Sequence, residues 1–235
     1  MTIELERALK ALRAGRIVLV FDFDDRERET DMVVASESVT PEVIRTMRKD
    51  AGGLICTTVH SDIRERIETP YLADVFNDVS DRYPVMSCLT PNDIPYDTKS
   101  AFSITINHRD TFTGITDKDR ALTISEFAKL AKASLGTENG WGRDEFGRHF
   151  RAPGHVPLLN ARKDLLTSRR GHTELTTALM VMAGITPTAT ICEMMGDDGS
   201  SLPKEMAKEY ARKHALSFLE GEEIIRAWRS GEWSK

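Results

Sequence analysis

Short apolar runs alternating with helix-patterned segments constrain this chain most. Predicted strands fall at residues 17–22, 32–36, 54–59, 102–106, 156–159, 188–192 and 216–219. Ile17-Val18-Leu19-Val20-Phe21 and Leu54-Ile55-Cys56-Thr57-Thr58-Val59 show their character: apolar, β-branched, and bounded by charged or turn-forming residues. Between them the apolar residues recur at helical spacing. Ile3, Leu5, Ala8, Leu9 and Leu12 share one face of a helix that Gly15 ends. A second helix runs from Pro41, with Thr40 as its cap, to Lys49. Further helices are predicted over 61–67, 123–133, from His172 through LTTALMVMAG, over 203–215 and over 222–228. Strands that alternate with helices make a mixed α/β (α+β) fold, with a mixed β-sheet carrying helices on its faces. No repeat, linker or composition break divides the chain, so residues 1–235 read as a single domain. Three segments are less regular. Residues 111–115 read as a further strand, 70–100 as loop with short elements, and 134–149, with four glycines and little core material, as a mobile loop or insertion.

Charge and cysteine content exclude several functions. The net charge is -5 with both signs interspersed, unlike the concentrated basic surface that a phosphate backbone selects. The three cysteines, Cys56, Cys88 and Cys192, form no CxxC pair, which argues against a disulfide framework or structural zinc. The first fifteen residues pattern as a charged amphipathic helix rather than a signal peptide, and no apolar run approaches about 20 residues. A soluble cytoplasmic enzyme without nucleic-acid or membrane partners is the expectation. GxxxxGK[ST], GxGxxG and HExxH are absent from the sequence, which removes the usual signatures of nucleotide and zinc-protease chemistry.

Four short constellations can carry chemistry. Residues 26–31, RERETD, place Glu27, Glu29 and Asp31 at every second position, so an extended segment would bring three carboxylates to one face. Such a face needs a cation or arginine to neutralise it; the same residues also suit a charged surface hairpin, and spacing alone does not choose. A calcium loop fits worse, because Arg26 takes the third ligand position after Asp22 and Asp24. Arg169-Arg170-Gly171-His172-Thr173-Glu174 is a basic turn feeding a helix, which suits an anion site or an ordinary helix start. Glu193 follows a predicted strand's C-terminal end, a frequent place for catalytic side chains. Cys192 beside it suits a buried small residue better than a nucleophile. Arg151-Ala152-Pro153-Gly154-His155-Val156 holds a turn that can present His155 to a site or to solvent.

In their fixed order, RERETD, RAPGHV, RRGHTE and CEMMGDDG resemble the 3,4-dihydroxy-2-butanone 4-phosphate synthases of riboflavin biosynthesis, in their short archaeal-type form. AGGLICT at 51–57, LTPNDIPYD at 89–97 and FSITINHRDTFTGITDKDRA from 102 extend the likeness over nearly the whole chain. The resemblance implies a lyase that converts D-ribulose 5-phosphate to 3,4-dihydroxy-2-butanone 4-phosphate and formate, working as a homodimer. It implies two divalent cations per active site, Mg2+ or Mn2+, with protein ligands Glu27 and His172. Substrate contacts fall on Arg26, Glu27, Asp31, Arg169, Arg170, Gly171, His172, Thr173 and Glu193. Glu193, His155 and Asp31 are the implied acid/base groups, with Glu29 assisting. Oxygen-rich ligation with one imidazole suits these hard cations. Another metal-dependent phosphosugar isomerase or aldolase would use similar residues without releasing formate. A non-catalytic binder of a phosphorylated metabolite would show no turnover.

Overall fold

In the computed structural model, which describes residues 1–89, 93–97, 99–138 and 140–234, seven strands make one sheet. They are β1 (Val18–Phe21), β2 (Thr30–Ala35), β3 (Cys56–Val59), β4 (Phe102–His108), β5 (Phe150–Asn160), β6 (Ala189–Glu193) and β7 (Phe218–Glu220). Their order is β4-β5-β3-β6-β2-β1-β7, with β3/β5 and β1/β7 parallel and the other pairs antiparallel. Strands β1, β2 and β3 are buried at every position, so they appear in sequence as runs rather than alternations.

Helices cover both faces. On one lie α1 (Ile3–Arg13), α8 (His172–Ala183) and α10 (Gly221–Ser230), whose Leu5, Leu9, Leu12, Leu175, Leu179 and Ile224 pack with Val33 and Ile191 of the sheet. On the other lie α2 (Pro41–Thr46), α3 (Ser61–Ile67), α6 (Asp117–Ser134) and α9 (Lys204–His214), where Ile44, Ile63, Ile124, Phe127 and Ala207 meet Met32, Val34 and Leu158. Every residue of α8 except Val181 is buried, as expected of a helix apolar nearly all round. Its Thr176 and Thr177 hydroxyls donate to the carbonyls of His172 and Thr173, at 2.7 Å each, so these polar groups are satisfied internally. The result is a single α+β domain whose central helix starts at the sheet end where β2 and β6 carry their carboxylates.

Several expectations need correction. Residues 111–115 form no strand. The Thr111 hydroxyl donates to His108 O at 2.7 Å and Gly114 N to Asp119 Oδ2 at 2.9 Å, which folds the segment into the cap of α6. Thr116 caps that helix, which therefore begins at Asp117, before residue 123. Residues 134–149 contain a helix, α7 (Trp141–His149), instead of only loop. Phe146 stacks on Phe150 at 5.3 Å and packs edge-on to Phe127 at 6.1 Å, and that aromatic anchor outweighs the glycines. Strand β5 starts at Phe150, well before 156. The stretch 70–100 does hold short elements, α4 (Leu72–Asp78) and α5 (Val85–Cys88), while its residues 90–92 and 98 lie outside the described residues, as do 139 and 235.

Candidate active site

The connection between β1 and β2 is a tight turn organised by one buried carboxylate. Asp22 Oδ2 accepts from Glu27 N at 3.0 Å and Oδ1 from Glu29 N at 3.1 Å, while Arg26 Nη1 lies 3.3 Å from Oδ2. Arg28 takes φ +59°, a left-handed conformation that reverses the chain. RERETD is therefore not extended before Thr30, and its carboxylates gather through the turn rather than through a strand face. Glu27 Oε2 lies 2.6 Å from Arg26 Nη1 and 3.1 Å from His172 Nδ1. His172, the first residue of α8, points its Nε2 to within 3.6 Å of Asp31 Oδ1.

Asp31 and Glu193 face each other because the β2–β6 register pairs them. Glu193 is fixed by Leu54 N, which donates to its Oε2 at 2.7 Å. A Cβ on Gly53 would sit 2.8 Å from Glu193 Cβ and 2.7 Å from its carbonyl oxygen, so glycine permits this approach. Ser201 Oγ donates to Glu29 Oε1 at 2.7 Å, fastening that carboxylate to the turn after β6.

Electrostatics separate the carboxylates. Burial pushes Glu27 up, but the hydrogen bond and charge of His172, joined by Arg26, outweigh it and hold the group at about 2. Burial pushes His172 down, yet Asp31, Glu27 and Asp22 raise it to about 9. Asp31, fully enclosed, is raised well above the carboxylate range by burial, and Glu193, Glu27 and Glu29 add to this against His172. Glu29 is also raised, by burial first and by Glu27 and Glu193, with Ser201 opposing.

A cation fits this corner. Asp22, Glu27 and His172 each offer a ligand atom within 4.8 Å of one another. His172 Nε2 and Asp31 Oδ1 are buried without a hydrogen-bond partner, which native proteins rarely tolerate unless something else binds there. Oxygen donors with one imidazole match magnesium or manganese better than a softer metal.

The other end of the site is basic. Gly171 caps α8, and a Cβ there would lie 2.8 Å from Arg26 Nη2 and would also strike the Arg169 guanidinium. Two guanidiniums thus crowd the start of α8, an arrangement suited to an anion. A cavity of about 280 Å³ joins both ends and is lined by Arg26, Glu27, Asp31, Arg169, His172 and Glu193, with Thr173 and Cys56 also in its wall.

Seven of the sequence-predicted residues, Arg26, Glu27, Asp31, Arg169, His172, Thr173 and Glu193, therefore share one cavity. Gly171 shapes it, and Glu29 lies outside its lining but near enough to Glu27 and Glu193 to feel their charge. Two lie elsewhere. Arg170 is half exposed, pairs with Asp25 Oδ2 at 2.7 Å and stacks over Phe23. His155 is exposed on β5, its Nδ1 3.1 Å from Asn107 Nδ2. Sequence reading missed Asp22 as a site residue and gave no role to Asp97, which binds Arg169. The signal for Asp22 was a carboxylate directly following a wholly apolar strand, where burial without a partner would be costly.

Comparison with known proteins follows this geometry. The family model described as 3,4-dihydroxy-2-butanone 4-phosphate synthase matches residues 6–227. A protein of that name from Methanothermobacter thermautotrophicus is 54% identical over 97% of this chain and 97% of its own. A riboflavin biosynthesis protein, RibBA, of Bacillus subtilis is 32% identical over 94% of this chain, which spans 48% of that longer protein. A crystal structure of a 3,4-dihydroxy-2-butanone 4-phosphate synthase in complex with two magnesium ions superposes with TM-score 0.77 at 26% identity, covering 98% of this chain and 99% of that one.

Proposed function

This chain belongs to the 3,4-dihydroxy-2-butanone 4-phosphate synthase family of riboflavin biosynthesis, and from that membership we propose how its residues convert D-ribulose 5-phosphate to 3,4-dihydroxy-2-butanone 4-phosphate and formate. The observation that carries the reading is the set Glu27–His172–Asp31–Glu193, with His172 and Asp31 buried and the two glutamates partly exposed to the cavity, at one end of a cavity whose other end is basic. Glu27 and His172 hold divalent cations, magnesium or manganese, two per site, with Asp22 as a further oxygen ligand beside them. A cation bound there supplies Lewis-acid stabilisation of the negative charge that develops on substrate oxygens.

The remaining work falls to the chain itself. Arg169, Gly171 and Thr173 at the start of α8 take the phosphate, with Arg26 alongside, and that binding energy orients the reacting end. The reaction begins with removal of a proton beside the carbonyl. It continues through loss of water and a skeletal shift, and ends when a water adds back at the displaced fourth carbon and that carbon leaves as formate. Each stage needs a group that both takes and returns protons. Asp31, raised by its burial and carboxylate neighbours and facing the cavity, is a stronger base than an ordinary aspartate and suits that duty. Glu193, held by Leu54 N, faces it as the second group, and Glu29 assists from the Ser201 side.

His155 supplies the third acid/base group from a second copy of the chain. Support comes from its exposure outside the cavity and from Phe112, 94% exposed, in the loop that follows β4, the strand paired with β5. The active form is then a homodimer, each chain contributing residues 1–235 as one synthase domain. A cytoplasmic setting agrees with three unpaired cysteines. No helix among the described residues is long and apolar enough to cross a membrane. Formate release from ribulose 5-phosphate, measured before and after chelation and with magnesium restored, tests the proposal. Magnesium-dependent formate is expected; metal binding without formate would replace it with an isomerase or a non-catalytic binder.

A further inference from the structure

The basic end of the cavity is already engaged by a side chain of the protein. Asp97 Oδ2 accepts from Arg169 Nε at 2.6 Å and pairs with Nη2 of the same guanidinium, and Arg26 Nη2 lies 3.5 Å away. The remaining arm of Arg169, Nη1, donates to Glu174 Oε2 at 2.5 Å. Both edges of the guanidinium fork are therefore spoken for, on the residue proposed to take a phosphate.

The two carboxylates are not equivalent. Glu174 is fully buried in α8, and its Oε1 also accepts from Arg162 N at 3.1 Å, so it belongs to the scaffold. Asp97 lies on the connection before β4, outside any helix or strand. Burial pushes its carboxyl up, but the hydrogen bond and charge of Arg169 hold it below the usual range. Next to it, Arg26 Nη2 is buried and has no hydrogen-bond partner, in a side chain only 4% exposed. The seat thus has more donors than the Asp97 carboxylate satisfies.

We infer that Asp97 is a specificity-determining residue, an internal anion that occupies the seat between Arg169, Arg26 and the start of α8 and yields it only to a phosphate ester. This rests on the reading of Arg169, Gly171 and Thr173 as the phosphate anchor. A carboxylate brings one charge and two oxygens. A phosphate ester brings up to two charges and three free oxygens, enough to bond the Arg169 fork, the Arg26 Nη2 that Asp97 reaches without a hydrogen bond, and the N–H groups of α8 together. Exchange of Asp97 for phosphate therefore gains bonds, whereas exchange for acetate, a sugar carboxylate or chloride gains none. Competition from within weakens every anion, and it removes the weak ones altogether, which is how a site discriminates by building in a cost.

The test uses inorganic phosphate and acetate as inhibitors of formate release from ribulose 5-phosphate by the magnesium-loaded enzyme, in wild type, Asp97→Asn, Asp97→Ser and Arg169→Ala. Both Asp97 variants are expected to bind phosphate on the order of tenfold more tightly, the scale of a charged hydrogen bond no longer competing. They are also expected to lower KM for substrate and to become sensitive to acetate, which leaves wild type unaffected. Weaker or unchanged phosphate inhibition in the Asp97 variants would mean that Asp97 merely orients Arg169, and overturns the inference. Arg169→Ala separates the two claims. Phosphate inhibition that survives it removes the anchor reading, whereas loss of inhibition there without tightening in Asp97→Asn removes only the role of Asp97. Calorimetric titration of phosphate into each variant gives the same comparison without turnover.

Discussion

Asp22 shows how one side chain can set a site without standing in any recognised motif. Its two oxygens fix the backbone of Glu27 and Glu29, and the turn they close brings Glu27 to His172. The protonation of that cluster makes stability depend on pH. His172 is raised to about 9 from 6.5, so its contribution is complete below pH 6.5 and is lost as pH rises through 9. Asp31, raised as well, changes stability in the same direction, because the folded state holds the proton more tightly there too. Glu27, lowered to about 2 from 4.5, acts oppositely and only in acid: its contribution is present above 4.5 and fades toward 2. Chelated protein should therefore lose on the order of 1–3 kcal/mol between neutrality and the alkaline side of the His172 titration. Urea midpoints across that range measure it. Saturating magnesium should flatten the curve by taking the proton's place, and His172→Gln should flatten it without metal. An equally steep curve in that variant would put the dependence elsewhere. Spacing in RERETD made the carboxylates visible, but not the left-handed Arg28 or the Asp22 bonds that gather them. Those depend on a buried partner that sequence order does not display.

Helix α8 joins fold to site. Burial of nearly its whole surface fixes its axis, so the donors at its first turn cannot drift. Gly171 has φ −82°, which any residue adopts, so its value lies in space rather than backbone freedom. The atoms that a Cβ would meet are guanidinium ends of Arg169 and Arg26, which can shift only by weakening their ion pairs with Glu174, Asp97 and Glu27. Gly171→Ala should therefore cost about 1 kcal/mol for an alanine cap and on the order of 1–3 kcal/mol more for those weakened pairs. It should also weaken the phosphorylated substrate by about tenfold, since charge-assisted bonds of that size are displaced. Thermal midpoints alongside KM decide this, and an unchanged KM would contradict it. The predicted start of α8 coincides with the observed one because a basic, glycine-containing turn before a long apolar pattern leaves little alternative. Helix α7 escaped the same reasoning. Gly142 and Gly147 lower helix propensity, yet Gly142 is needed where α7 meets Arg66 O, 2.8 Å from where a Cβ would lie. The packing that overrides propensity involves Phe127 and Phe150, residues outside the segment. The threonines of 111–115 misled for a related reason: β-branching favours strands, but the Thr111 hydroxyl closes a turn on His108 O and Thr113 bonds Asp119 in the first turn of α6.

At the scale of the whole molecule, the cavity brings the carboxylate–histidine cluster and the arginines at the start of α8 together in one chain but leaves His155 outside it. The antiparallel β4–β5 pair holds that histidine firmly. Asn107 Oδ1 accepts from His155 N at 2.9 Å, and Gly154 lies against the Ile106 backbone where a side chain would collide. A rigidly presented, exposed imidazole that is absent from the lining of its own cavity is well placed for a neighbour's, and the nearly fully exposed Phe112 in the loop after β4 offers apolar surface for that contact. If the active dimer shares sites in this way, His155→Ala and Glu193→Gln should each be nearly inactive alone. Mixed through unfolding and refolding, or by co-expression, they should recover activity. Random pairing makes half the dimers mixed, and each mixed dimer has one site with both native residues, so about a quarter of wild-type formate release should return. A chain that uses its own His155 gives a different result, because every site in every mixture then lacks one residue. No recovery from demonstrably mixed dimers would confine catalysis to a single chain and leave His155 with no role in a neighbour's site.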